Sequence, residues 1–331
     1  MHEKQNGFKT VFEKINRIPG IWMALIFIII LISLFNPSFF TMNNLLNVAR
    51  QLSIKGILSL GMLLVILSGE IDLSVGAVLC ITGLFVAAAQ NAGFSLIFSI
   101  LLSLGAGALI GFFIGILVVK RNLPSFIISL AVMIVLRGYA MIFSKGEPAI
   151  TGLYTSFMVL GQGSILGIPN PVIIFIVVTV IFHFLLSSTS FGAKVYATGS
   201  NKEAAIFSGI KTDNVKIWIF IIMGIASALA GLILTARLGA ADSKMGNLYE
   251  LDAIAAVIIG GTLFSGGVGS VSKVLPGIII LGILPNVLNM FEVSPYFQYH
   301  ARGLIIILAY LLNTQKIGFK RKRKLKVSTA D

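Results

Sequence analysis

The sequence predicts an all-α, polytopic integral membrane protein with about ten transmembrane helices (eight to ten), some short or broken. Three observations carry that prediction. Of 331 residues, 57% are hydrophobic and 11% charged, far below the quarter or so of charged residues in a soluble domain. The apolar residues form successive runs of membrane length, and the lysines and arginines gather in short segments beside those runs. The net charge of +13 therefore reads as a positive-inside pattern rather than a nucleic-acid surface.

In order, the apolar runs fall at about residues 21–35, 45–67, 73–91, 94–119, 125–143, 171–187, 215–236, 251–264, 273–291 and 299–313. A crossing needs roughly 20 residues, so 21–35, 251–264 and 299–313 are short; they are tilted, extended into their flanks, or half-helices. With Lys4, Lys9, Lys14 and Arg17 inside, an even number of crossings places Lys120, Arg121 and the basic tail from Lys316 to Lys326 inside as well. The long loop Ser144 to Pro171, holding Lys145 and Glu147, falls outside. A count of about eight keeps the same parity if two segments are re-entrant. The domain reading is a cytoplasmic segment 1–20, one transmembrane domain 21–313 with a cytoplasmic loop 188–214, and a basic cytoplasmic tail 314–331 that touches anionic lipid headgroups. The first run lacks a small-residue cleavage site and reads as an uncleaved span. Cys80 is the only cysteine, and His2, His183 and His300 have no ligand spacing, so no metal site is expected.

The polar island Ser187 to Asn214 interrupts this pattern and reads as a docking element. Ser200 is an N-cap candidate, Glu203 completes a capping box, and Gly209 suits the left-handed stop. The spacing predicts a helix of about eight residues whose small face is Asn201, Ala204, Ala205 and Ser208.

A second break, Gly69-Glu70-Ile71-Asp72-Leu73-Ser74-Val75-Gly76, places two carboxylates between apolar helices. They must face a cavity, a partner or water. One reading is a tight turn in which Asp72 or Ser74 caps the next helix; the other is a position on a permeation path, and the two are compatible. A related break runs from Tyr249 through Asp252 to Gly260-Gly261-Thr262, followed by Gly266-Gly267-Val268-Gly269. Gly-interrupted apolar segments in both halves suit an internally duplicated transporter, although residue-by-residue matching of the halves is poor. Gly107, Gly111 and Gly115 form small-xxx-small steps for helix packing. Asn286 and Asn289 share a helix face, where they line a cavity or make interhelical hydrogen bonds. The chain has no Gly-Lys-Ser/Thr phosphate loop, so energy from ATP requires a partner.

Taken together, GEIDLSVG at 69–76, GSNKEAAIFSGI at 199–210 and YELDAIAAVIIGGT at 249–262 followed by GGVGSV resemble the ribose-type permeases of bacterial ABC importers over about residues 40–313. The resemblance implies a plasma-membrane permease with both termini cytoplasmic. Its partners would be a second permease copy or a homologue, a cytosolic ATPase carrying ATP and Mg, and an extracytoplasmic sugar-binding protein. It implies no cofactor and no catalysis in this chain. The island from Gly199 to Gly209 would be the helix that couples to the ATPase. Gly69, Glu70, Asp72, Ser74, Gly76, Asp252, Gly260, Gly261, Thr262, Asn286 and Asn289 are the candidates for the translocation path or gate. Glu70 departs from the glycine common in that family, and Pro285 and Val287 flank Asn286 unusually. The alternative is an ion-coupled secondary transporter using Glu70, Asp72 or Asp252; a membrane enzyme lacks a nucleophile, metal or acid–base set.

Overall fold

Residues that cannot leave hydrocarbon must satisfy their backbone internally, and the chain does so with helices. The computed structural model describes residues 20–145 and 150–294, with isolated positions between 297 and 307. Among the described residues twelve α-helices appear: α1 (Gly20–Phe35), α2 (Met42–Leu67), α3 (Val75–Asn91), α4 (Leu96–Lys120), α5 (Ser125–Phe143), α6 (Thr155–Gln162), α7 (Asn170–Ser188), α8 (Ser190–Ser200), α9 (Lys202–Phe207), α10 (Thr212–Leu238), α11 (Tyr249–Ile259) and α12 (Val271–Met290). A two-residue hairpin, β1 (Ser164–Ile165) with β2 (Ile168–Pro169), joins α6 to α7. The protein is an all-α polytopic membrane protein. Helices α2, α4, α5, α7, α10 and α12 are long and apolar enough to cross a bilayer, and α3 is a shorter apolar helix. The run expected at 299–313, like the N-terminal segment and the basic tail, lies outside the described residues.

The core forms around α2 and α10. From Ser53 to Leu67 every residue of α2 is buried, as befits a helix apolar on all sides. The α4–α10 contact is made by glycines: a Cβ on Gly107 would strike the Gly224 carbonyl, and one on Gly111 would strike the Phe220 carbonyl. Close backbone approach is what small-xxx-small steps allow. By contrast α4, α5 and α7 leave apolar faces uncovered, including Phe113, Ile134, Ile142 and Val180.

Two helix-free stretches set the architecture. Residues 68–74 form a strap between α2 and α3, and residues 239–248 form a second stretch between α10 and α11. The strap lies along the start of α5: Ile71 N–H donates to Ser125 Oγ and Leu73 N–H to Ser129 Oγ, both at 3.0 Å. Four helical residues separate those serines, so the strap penetrates at least about 6 Å from the end of α5 before α3 begins. At the opposite end of the bundle Ile150 and Ala241 form an isolated antiparallel bridge, and Gly161 of α6 packs on the backbone of Ala236 and Arg237.

Candidate functional site

Loop 188–214 folds as two short helices with their own terminators. Thr189 caps α8 by accepting from Gly192 N–H at 3.2 Å. The expected start of the docking helix is displaced by one residue. Ser200 is the last residue of α8, and Asn201 is the N-cap of α9, its Oδ1 accepting from Ala204 N–H at 3.0 Å. Asn201 N–H donates to Ala197 O at 3.2 Å, which carries α8 through Ser200; Ser200 is therefore a helical residue of α8 and not the cap of α9, and the Ser200–Glu203 capping box does not form. Helix α9 has 6 residues, not about eight. Gly209 does end it, at φ +81°; Gly209 N–H bonds to Ile206 O and Ile210 N–H to Ala205 O, the paired bonds of a Schellman stop.

The small face is also divided. Ala205 is buried, whereas Asn201, Ala204 and Ser208 are exposed. What projects furthest is apolar: Phe207 is 91% and Ile206 51% exposed. The sequence signal for this was visible, because two large apolar residues in a polar island have no core to enter unless the chain or a partner supplies one.

The base of α8–α9 is where the three sequence motifs meet. Gly199 rests on the Leu67 carbonyl with no room for a Cβ, and Gly267 N–H donates to that same carbonyl at 2.9 Å. A Cβ on Gly266 would lie 2.9 Å from Gly69 N and 3.0 Å from Gly199 O. Tyr196 adds a hydrogen bond from its hydroxyl to Gly269 O at 3.0 Å; burial pushes its pKa up, which keeps the phenol a donor. Gly266 thus brings Gly69 and Gly199 together; side chains at Gly199 or Gly266 would separate the segments, whereas Gly69 needs glycine for its φ of +80°.

Along the strap each polar residue has a distinct partner. Glu70 pairs with Lys216 of α10. Asp72, 2% exposed, accepts from Ser74 N–H at 2.8 Å and Ser74 Oγ at 2.6 Å, which closes the turn just before α3. The capping expectation for this turn therefore takes a definite form: Asp72 holds Ser74, the N-cap of α3, while Ser74 makes no side-chain cap bond itself. At the other end of that turn Gly76 packs against Gly246 and the Glu250 carboxylate, with a Cβ position 3.4 Å from Arg137. Arg137 donates from Nη1 to Met245 O at 2.7 Å and Ser243 O at 3.4 Å. One face of α5 thereby holds both helix-free stretches, Ser125 and Ser129 on the strap and Arg137 on residues 243–245.

The second acidic segment resolves similarly. Asp252 pairs with Lys55 at 2.7 Å, their side chains 5% and 10% exposed, and the Lys55 ammonium lies 5.3 Å from the Tyr249 ring centroid. Gly260 packs on Lys273 and Val274 of α12. Gly261, at φ +85°, and buried Thr262 close α11 with the same stop as α9, through Gly261 N–H to Ile258 O and Thr262 N–H to Val257 O. Asn286 is engaged in a reciprocal amide pair with Asn44, at 2.7 and 3.2 Å, which ties α12 to α2. Asn289, by contrast, is exposed, so the two asparagines do not share one environment. Helix α12 continues through Pro276 and Pro285.

Sequence reasoning passed over Lys55, Arg137, Lys216, Ser125 and Ser129. The first two carried a signal: a lone cation inside an apolar span needs a partner. The serines carried none, because serine on a membrane helix is also ordinary packing.

The chain matches the family model for the branched-chain amino acid transport system / permease component over residues 44–310. It belongs to this permease family. It is 42% identical over 316 residues to the ribose import permease protein RbsC of Bacillus subtilis, covering 95% of this chain and 97% of that one. The ribose import permease protein RbsC of Escherichia coli K12 is 39% identical over 297 residues, with 89% and 92% covered. The L-arabinose ABC transporter permease protein AraH of Azospirillum brasilense is 34% identical over 315 residues, with 95% and 92% covered. No solved structure matches the chain. The segments that meet at the glycine contact and at the Gly76–Gly246 contact all fall inside the matched region.

Proposed function

We propose that this chain is the translocation subunit of an ATP-driven importer for a monosaccharide of the ribose or arabinose type, in a bacterial plasma membrane. The single observation that carries the coupling part of this reading is α9: a capped, terminated helix that exposes Phe207 and Ile206 and whose base touches both the strap and the 260–270 loop. On this reading the α9 end is cytoplasmic, as are both termini, and α9 enters a groove of a separate ATPase that holds ATP and Mg. The docking surface is Phe207 with Ile206, flanked by Ala204 and Ser208, and Ala205 serves the interior. Burying Phe207 in a partner would contribute about 1.5–3 kcal/mol. An extracytoplasmic binding protein would deliver sugar to the opposite end, and a second copy or homologue would cover the exposed faces of α4 and α5. The permease itself performs no bond chemistry, and no cofactor is assigned to it.

Glu70, Asp72 and Asp252, which an ion-coupled transporter would need for its ion, are held by Lys216, Ser74 and Lys55 respectively, which disfavours that alternative. The test is affinity purification of the tagged chain from its native membrane in mild detergent. A stoichiometric P-loop ATPase should accompany the parent and be lost from Phe207→Asp and Ala204→Glu, with both variants still in the membrane. A transport-competent chain that carries no ATPase would overturn the proposal in favour of ion coupling.

A further inference from the structure

At the root of α9 lies a cavity of about 210 Å³ lined by Glu70, Val118, Val119, Asn122, Leu123, Pro124, Lys202, Asp213 and Lys216. Its four charged groups come from three different elements: Glu70 from the strap, Lys202 from the first position of α9, and Asp213 and Lys216 from the first turns of α10. One ion pair is formed, between Glu70 and Lys216, whose side chains are 13% and 12% exposed. A second cavity, lined by Val119, Asn122, Lys202, Ile206, Asp213 and residues 209–214, adjoins it through shared walls, so the space runs from Glu70 to the exposed apolar tip of α9.

A carboxylate shielded to this degree binds one cation tightly but contributes little net stability, because desolvation of both charges offsets their attraction. Its value lies in which cation it holds. Glu70 follows Gly69, which touches Gly266 and Gly199, and precedes Asp72, which holds the start of α3. The Glu70–Lys216 pair therefore fixes the strap to α10. Lys202 faces the same cavity on a helix rooted one residue beyond Ser200. A displacement of α9 changes the distance from Lys202 to Glu70, whereas Lys216 belongs to a separate helix, α10, beyond the linker 208–211.

We infer that Glu70 and Lys216 are positioning residues forming an electrostatic latch between the strap and α10, and that movement of α9 releases it by bringing Lys202 into competition for Glu70. The inference rests on the proposed docking of an ATPase at α9 and adds the device that transmits its movement to the strap and α3. The cavity supplies room for the exchange.

The experiment uses the chain reconstituted in proteoliposomes with its ATPase and binding protein, with sugar uptake and ATP hydrolysis measured in parallel. Glu70→Gln and Lys216→Met should each raise ATP hydrolysed per sugar transported roughly tenfold, within the usual range of coupling free energies, with ATPase binding unchanged. The charge swap Glu70→Lys with Lys216→Glu should return the ratio toward that of the parent, since the pair is restored with its polarity reversed. Lys202→Met should instead lower uptake and hydrolysis together, because the latch no longer opens. A Cys80→Ser background carrying Glu70→Cys and Lys216→Cys gives an independent check: joining the two thiols with a short bifunctional methanethiosulfonate, which spans the length of the original side chains, should arrest uptake, and reduction should restore it. A parental ATP-to-sugar ratio in both single variants, or uptake unaffected by the cross-link, would overturn the latch while leaving ATPase docking intact. Absence of any ATPase on the parent chain would instead sink the docking proposal.

Discussion

Replacing Asp252 by Asn removes one charge from the most buried ion pair among the described residues. The Lys55 ammonium is 2.7 Å from the Asp252 carboxylate, with side chains 10% and 5% exposed. At an effective dielectric near 20 the direct attraction is about 6 kcal/mol. Desolvation cancels much of this while both charges are present, but the asparagine variant retains the cost of burying Lys55. Breaking such a pair from one side costs about 3–5 kcal/mol, and an amide oxygen that still accepts a hydrogen bond places Asp252→Asn toward the lower figure. Total stabilities are about 5–15 kcal/mol, so the loss should be plain in a denaturation curve of the purified chain in detergent. The decisive comparison is Lys55→Met with Asp252→Val, which removes both charges with little change of volume; it should recover to within about 1.5 kcal/mol of the parent. If Asp252→Asn is as stable as the parent, or if the double variant is no better than the single one, the pair is not the charge-compensation device described.

Gly111→Leu forces a side chain into the Phe220 carbonyl and should separate α4 from α10, at a cost of at least about 1–3 kcal/mol; loss of a monodisperse peak in detergent would register it. Ser129→Ala leaves Leu73 N–H without its partner, a loss of about 1–3 kcal/mol, and hydrogen exchange at Leu73 should accelerate while exchange in α10 does not. Arg137→Gln removes the bonds to Met245 O and Ser243 O, so exchange across 243–248 should rise, with the strap at 71–73 unchanged. Equal acceleration in both stretches would mean that α5 had simply dissociated.

The helices were readable because hydrocarbon admits few alternatives. Nine of the apolar runs correspond to described helices, and α4 and α5 begin and end within two residues of their sequence boundaries. Glycine spacing likewise announced the α4–α10 contact. The docking helix was found but its phase was not: Ser200 and Asn201 are both good caps, and the choice depends on α8 continuing through Ser200 and occupying Asn201 N–H with Ala197 O. That continuation turned Ala205 inward and Phe207 outward. Partner identity was the least legible feature. Glu70, Asp72 and Asp252 were recognisable as costly in a membrane, yet Lys216, Ser74 and Lys55 are chosen by tertiary contact, and only Ser74 is close in sequence.

The poor residue match between the two halves conceals an architectural one. A 26-residue helix, α2, leads through the strap to α3, and a 27-residue helix, α10, leads through 239–248 to α11. The long helices end at opposite ends of the bundle: Leu67 abuts Gly199 at the α9 end, while Ala236 and Arg237 abut Gly161 at the other. The two units therefore enter the protein from opposite sides, the arrangement expected of inverted repeats around a central path. The first turn of α3, just after the strap, meets the second helix-free stretch at Gly76 and Gly246, where irregular backbone is tolerated because protein rather than lipid surrounds it. Such a contact can be retained only while both stretches keep their positions. Ser125, Ser129 and Arg137 provide that constraint from one helix that is otherwise lightly packed, so a displacement of α5 acts on both units at once. With α9 joined to the strap through Gly199 and Gly69, movement at one end of the bundle has a continuous physical route to the contact at its middle.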